Sequence, residues 1–476
     1  MSIAALLGAR LGLEELVDEV EEVTPESLDG SDTVEAADAE VKAAQAEVAE
    51  GETIVEDVED AGVTLDEVGA TLESAVRSGQ GLDPIAAKLA SIAINSATSK
   101  LGISKQLTAS LENYGQRTSR LEATRITLED VKETVLKWWN TIRAALTNLY
   151  MKIKGFFIKL FDGLPKLKKR AEEMVKTANS TKGTAKAEKI KVAVGNLKMA
   201  NSTPATADVI KGLDELSTLA ASVLGTGGSG EKAYEETVKE LTAMVSGLGD
   251  KLDQTKVDAL NKAIYDKLLA MPDKVGAKTA GDDKKYGGEG SKVKVTGVML
   301  GAKLIAVKYP ADTKEGETAH DAAKLVRLSG LSIEDAFKGD KASDATAEIV
   351  SPTPAEVASL AAKVLALVNT MISYKALWEA RDRQKTALDK AVSEAISKAA
   401  KGTEGDDSSK LIKAVQSGGT ALSSYWSKNL SFENKFSGYA FNASVAVLNL
   451  GAKALGNYGG AEAKAEEPAK TEEAKA

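Results

Sequence analysis

A mainly α, elongated multi-helix protein, with long amphipathic helices and a small β-hairpin insert near residues 293–309, is the fold class the sequence predicts. Three observations predict it. Aromatic residues make up 4 % of a 476-residue chain rich in Ala, Gly, Lys and Glu, a mix that packs helices through small side chains. The stretches 127–170 and 354–378 repeat apolar residues at helical spacing. Strand-like patterning is clear only around 293–309.

The 127–170 stretch organises the rest. Leu128, Val131, Val135, Trp138, Trp139, Ile142, Leu146, Leu149, Tyr150, Ile153, Phe157 and Leu160 fall within an arc of roughly 120° on a helical wheel. Six of the chain's 21 aromatic residues lie here. From Lys137 to Arg170 the other face holds nine Lys or Arg against one acid, Asp162. Thr127 with Asp130 resembles a capping-box start, and Asp162-Gly163-Leu164-Pro165 reads as the stop. Three uses suit such a helix. It can bury its aromatic face in a bundle, or lie on anionic lipid with Trp138, Trp139, Ile142, Leu149 and Phe157 inward. It can also neutralise a polyanion with Lys152, Lys154, Lys159, Lys166, Lys168, Lys169 and Arg170. The first use is compatible with either of the others.

Charge divides the chain. Residues 1–80 hold 22 acids and three bases, a net of −19, so the other 396 residues carry +10 against a total of −9. Residues 1–112 therefore read as an acidic, partly disordered arm, with one weak helical face at Val34, Ala37, Val41, Ala44 and Val48. The basic aromatic helix region follows at 113–178. Residues 179–290 read as a hinge with one helix near Ile190–Leu197, then a small bundle with Gly-rich joints: Thr206–Leu224, Ala233–Leu248 and Val257–Met271. A small α+β insert spans 291–345. The C-terminal helical domain, 346–458, opens with a capping box at Thr353 and Glu356 and Pro354 at the first helical position. Leu411–Trp426 and Phe436–Leu455 read as two further helices, and 459–476 as a disordered tail.

No catalytic constellation competes with this organisation. There is no cysteine, and one histidine, His320, in a polar run. Thiolate sites and sites built from several histidines are thereby excluded. Gly225–Lys232 looks superficially like a phosphate loop, but Glu231 stands where the motif needs lysine. No catalytic residue, metal or cofactor is expected. A basic leader and an 18-residue apolar run are both missing, so the reading is of a soluble protein made in a reducing compartment.

The run Leu111-Glu-Asn-Tyr-Gly, then Arg120-Leu-Glu-Ala-Thr-Arg-Ile-Thr-Leu-Glu, the Trp-containing helix, Phe156-Phe-Ile-Lys-Leu-Phe-Asp and Pro165-Lys-Leu-Lys-Lys-Arg-Ala is similar to internal head proteins of large tailed phages. The resemblance covers Leu111 to about Met174 and implies a non-enzymatic virion protein packed inside the capsid. It further implies an acidic N-terminal propeptide that accompanies assembly in the host cytoplasm and is removed by a prohead protease cutting after Glu. Other head proteins and that protease are the implied partners. Small-x-Glu triplets occur at Thr71-Leu72-Glu73 and Ser110-Leu111-Glu112, giving Glu73 and Glu112 as candidate cut positions. DNA is the polyanion expected for the retained body, and a membrane surface is the alternative partner of the 127–170 helix. Oligomeric state is not legible.

Overall fold

The computed structural model describes residues 33–101, 120–200, 202–225, 230–248, 254–287, 290–311, 322–337, 346–401 and 406–458. It is mainly α, with a few small antiparallel sheets, as the sequence predicts.

Helix α1, Val34–Arg77, starts where Thr33 Oγ1 accepts the Ala36 amide at 3.3 Å. Its residues Val34, Ala37, Val41, Ala44, Val48, Val55, Val58, Ala61 and Leu65 recur at three, four or seven positions and are buried. Each fully buried Val or Leu contributes roughly 1.5–3 kcal/mol. This corrects the expectation of a solvated arm for 34–77. Small residues bring α1 so close to a large-residue partner that modest side chains suffice: a Cβ on Gly51 would stand 3.2 Å from Leu149 and Lys152.

At the turn, Gly79 and Gly81 take left-handed φ of 72° and 68°. Gly81 also lies against the Arg120 backbone, where a Cβ would come within 2.6 Å. Helix α2, Pro84–Lys100, then folds back on α1, capped by Asp83, whose carboxylate accepts from Ile85 and Ala86 at 2.9 Å.

Helix α3, Arg120–Ser180, is the partner of α1 and runs antiparallel to it, since Glu50 meets Lys152 and Glu35 meets Arg170. It differs from the sequence reading at both ends. Thr127 is no cap; its hydroxyl donates back to the Ala123 carbonyl at 3.0 Å. Gly163 and Pro165 do not stop the helix. Leu160, Leu164, Leu167 and Ala171 are all buried, so continuing the helix keeps that row in the core. Gly163 is a close-approach point, with Phe441 at 3.2 Å and Ala37 at 3.3 Å from where a Cβ would sit. Pro165 faces solvent.

After α3 comes strand β1, Lys189–Ala193, where the sequence reading had a helix. Lysines alternate with Ile190 and Val192, a two-residue period that a five-residue strand satisfies and a helix does not. It pairs antiparallel with β6, Thr346–Val350, in the register Lys189↔Val350 and Lys191↔Glu348. Helices α4 (Thr206–Val223), α5 (Gly230–Leu248) and α6 (Gln254–Leu269) form close to the three predicted helical segments. A short α7, Met271–Lys274, leads into the insert. There β2 (Thr279–Ala280), β3 (Ser291–Val295), β4 (Lys303–Pro310) and β5 (Gly330–Asp335) form one antiparallel sheet in that order. It also holds short helices α8 (Asp283–Tyr286) and α9 (Ala322–Arg327).

Helix α10, Pro354–Lys401, opens with the predicted capping box: the Thr353 amide donates to Glu356 at 2.7 Å, and the Glu356 amide to Thr353 Oγ1 at 3.2 Å. It is long and apolar enough to cross a membrane. Its stripe of Val357, Leu360, Val364, Leu367, Val368, Met371, Tyr374 and Trp378 is instead buried in the bundle, and core helices pass the same test. Helix α11, Asp406–Asn457, is continuous where two helices were expected. The polar stretch Ser427–Lys435 looks like a break by composition, yet Ser427, Ser431, Glu433 and Asn434 are buried, because α11 is covered by α1, α3 and α10. One core runs from Val34 to Leu455 across most of the segments that the sequence separates.

Replacing Pro165 with Ala restores a helix-interior amide and is expected to raise stability by up to about 3 kcal/mol. A higher urea midpoint at unchanged slope is the readout; a lower midpoint would show that the ring itself contributes packing.

Candidate functional site

Where α3, α10 and α11 meet, the aromatic face of α3 finds its partners inside the chain. Phe157 lies 4.4 Å from Trp378 and 5.5 Å from Tyr374, centroid to centroid, and Tyr150 lies 5.5 Å from Trp426. Two cations thread this aromatic set. Arg381 sits 5.3 Å from the Tyr374 ring, and Lys385 5.6 Å from Tyr150. Arg381 pairs with Glu433, both about 6–7 % exposed, and the Tyr374 hydroxyl donates to the same carboxylate. Burial pushes the Glu433 carboxyl up from the usual range, against the pull of Arg381 and Tyr374. Lys385 pairs with Asp389. Arg381 and Glu433 are buried between α10 and α11, and the pair joins the two helices.

A second set of charges lies under α1, whose acids reach bases on four other elements. Glu35 pairs with Arg170 at 2.8 Å and Glu50 with Lys152 at 2.9 Å, both on α3. Glu52 pairs with Lys435 at 2.6 Å and Glu59 with Lys428 at 3.9 Å, both on α11. Asp60 meets Arg327 of α9 at 3.7 Å, and Asp57 meets Lys100 of α2 at 3.2 Å. Two nearly buried α11 hydroxyls, Ser424 and Ser431, donate to Glu59 and Glu52. Beside them, Lys308 is held below the usual lysine range by burial first and then by Lys428 and Arg327, while Glu56 of α1 pulls it back up.

The predicted site residues therefore separate. Ile142, Leu149 and Phe157, expected to face a partner or lipid, are buried in the chain's own core. Trp138 and Trp139 lie on α3, but their side chains are outside the described set. Of the expected polyanion contacts, Lys152 and Arg170 are engaged by α1, and Arg170 also donates to Asn449 at 2.6 Å. Lys154, Lys159, Lys166 and Lys168 are half-buried, and Lys169 is exposed. Glu73 lies within α1 beside the buried Leu72; Glu112 and His320 fall outside the described residues, as do the tail and residues 1–32.

Sequence reasoning missed a run of exposed lysines at the end of α3 and just after it: Lys176, then Lys182, Lys186, Lys189 and Lys191. This segment is pinned to the end of α11. The Lys186 amide donates to the Asn457 carbonyl at 2.8 Å, and the Asn457 side chain donates to Ala187 O at 2.6 Å. Lys453 reaches the Lys191 carbonyl at 3.4 Å. Its signal was the Lys-apolar alternation of β1. Among the described residues, no group of three or more His, Cys, Asp or Glu is placed to hold a metal ion.

A long helical body whose aromatic and ionic clusters serve helix-to-helix packing defines a structural, helix-bundle class of protein. The model of the phiKZ-like phage internal head proteins matches residues 14–453, far beyond the stretch that carries the sequence resemblance. The chain belongs to that family, a virion structural protein of the capsid interior. No curated protein and no solved structure matches it.

Substituting Arg381 by Met leaves Glu433 buried without its cation and is expected to cost about 3–5 kcal/mol near neutral pH. A raised carboxyl pKa means that the folded state holds a proton the unfolded chain releases, so this group's contribution falls as pH rises through the window above the ordinary glutamate value. The loss should shrink as pH falls toward that ordinary value. Urea melts across pH read it, and a pH-independent loss would contradict the assignment.

Proposed function

We propose that this chain is a non-enzymatic packing protein of the phage head. On this reading it enters the prohead through its acidic N-terminal segment, is cut there by a prohead protease, and is retained beside packaged DNA. Other head proteins are its partners, and the host cytoplasm is where it assembles. The observation that carries the reading is the family match over residues 14–453, joined to the charge asymmetry of −19 against +10. Of the two candidate cuts, the helical setting of Glu73 favours Glu112. A protease needs its substrate extended, and Leu72 is buried in α1.

For DNA, the support shifts from the face of α3 to the end of the bundle. Lys152 and Arg170 are occupied by acids of α1, whereas Lys169, Lys176, Lys182, Lys186, Lys189 and Lys191 are exposed. Contacts of this kind neutralise phosphates without reading sequence. The membrane alternative loses its support at Ile142, Leu149 and Phe157, which are not available to lipid in this fold.

Mass spectrometry of mature particles is expected to find peptides beginning at Asn113; an intact chain through residue 112 would reject the cut. For DNA, a chain with Lys182, Lys186, Lys189 and Lys191 changed to Gln should bind a short duplex more weakly. Its log–log salt dependence should flatten by roughly 3 to 4 units. An unchanged slope would remove these lysines from the contact.

A further inference from the structure

Cutting the chain between α2 and α3 need not free what lies before the cut. The unit formed by α1 and α2 joins the body through one covalent link, residues 102–119. Everything else that holds it is non-covalent. The buried row from Val34 to Leu65 is seated on α3 and α11, inside the same core as Phe157, Tyr374 and Trp426. Around that floor stands a basic rim: Arg170 and Lys152 on one side, Lys435, Lys428 and Arg327 on the other, each met by an acid of α1. The groove thus fits an acidic, Val- and Ala-rich amphipathic helix, and α1 is one.

The rim also makes an empty groove unfavourable. Lys428 and Arg327 both lie near enough to Lys308 to act on its charge, and α1 supplies the acids beside all three: Glu56 to Lys308, Glu59 to Lys428 and Asp60 to Arg327. Without α1, three like charges would face one another, and Ser424 and Ser431 would lose the carboxylates that accept their protons. The turn after α1 adds a further lock, since Gly81 lies against the first residues of α3.

We propose that α1 and α2 remain docked in this groove after the chain is severed between residues 102 and 119, so that a single cut there converts the protein into a tightly held two-chain complex. The link to maturation rests on the cut proposed above; the docking itself does not. Two consequences follow. A cut after Glu112 would not by itself unmask Lys152, Arg170, Lys428 or Lys435, so the body would not turn basic at that step. Release would need a second event that strips α1 from the groove, after which Glu73 would become an extended substrate.

The test uses the full chain carrying a site-specific protease recognition sequence inserted between Ser110 and Leu111, cut to completion in vitro. Gel filtration at low salt and in 1 M NaCl, where the screening length falls to about 3 Å, is followed by mass spectrometry of each fraction. Both fragments are expected in one peak at both salts, with the helical circular dichroism of the uncut chain. Separate elution of the N-terminal fragment at low salt would overturn the proposal. Separation in 1 M NaCl alone would also overturn it, by showing that the rim rather than the apolar floor holds the unit. In a cut chain that also carries Val41→Asp, Val48→Asp and Val58→Asp, the fragments should part; continued co-elution would count against the groove as the docking surface. Because the cleavage is engineered, failure here leaves the prohead-protease reading to the particle peptides, and failure there leaves this result standing.

Discussion

The antiparallel seating of α1 on α3 is the contact on which the rest of the structure depends. It joins a helix of small residues to one of large residues, and the mismatch in size is what makes the pair close-packed. Gly51 and Ala37 let Leu149 and the Gly163 turn of α3 approach backbone to backbone. Phe156, Phe157 and Leu160 then fill the space toward α10 and α11. Interiors pack like organic crystals, so a row of Val and Ala is as good a wall as a row of Leu when its partner supplies the bulk.

Electrostatics ride on that packing. The ion pairs along α1 are mostly half-exposed, and pairs of this kind contribute about 0–1 kcal/mol each. The apolar floor sets the affinity, and the acids set which helix fits and in which register. The buried pair of Arg381 and Glu433 works differently. It sits among aromatic rings with a tyrosine hydroxyl as third partner, and taking two charges out of water offsets much of what their attraction gains, so the pair costs more to break than it adds when whole. Between them, the two sets hold the four long helices of the core in one arrangement.

Much of this was legible in the sequence. The capping box at Thr353, the apolar stripe to Trp378 and the β-hairpin could all be read because their signals are local: a cap, a period, an alternation. The aromatic stripe of α3 was also legible, though not its two ends. Residues near Thr127 and Pro165 carry real local signals that tertiary burial overrides. The role of 34–77 could not be read, since a row of Val and Ala among acids has too little area to order itself, and only its partner makes it a core element. The continuity of α11 through Ser427–Lys435 was hidden for the same reason, because its polar side chains are covered by other helices. At the candidate site, Ile142, Leu149 and Phe157 were legible as one face, open to burial in a bundle or to a lipid surface; the structure buries them in the chain's own core. The lysines after α3 were visible and passed over, as their alternation was read as one more helix.

Net charge alone could not have separated the bases that matter to a polyanion from those that hold the fold. The chain sorts them by geometry. Lys152, Arg170, Lys428, Lys435 and Arg327 lie within reach of α1 and serve as the walls of its groove. Lys182, Lys186, Lys189 and Lys191 lie exposed on a segment tied to the end of α11. A charge already paired inside a protein releases few counterions to a new partner, whereas an exposed one releases its full share. These bases of the body therefore fall into two groups, one engaged by the acids of α1 and one exposed on the segment tied to the end of α11.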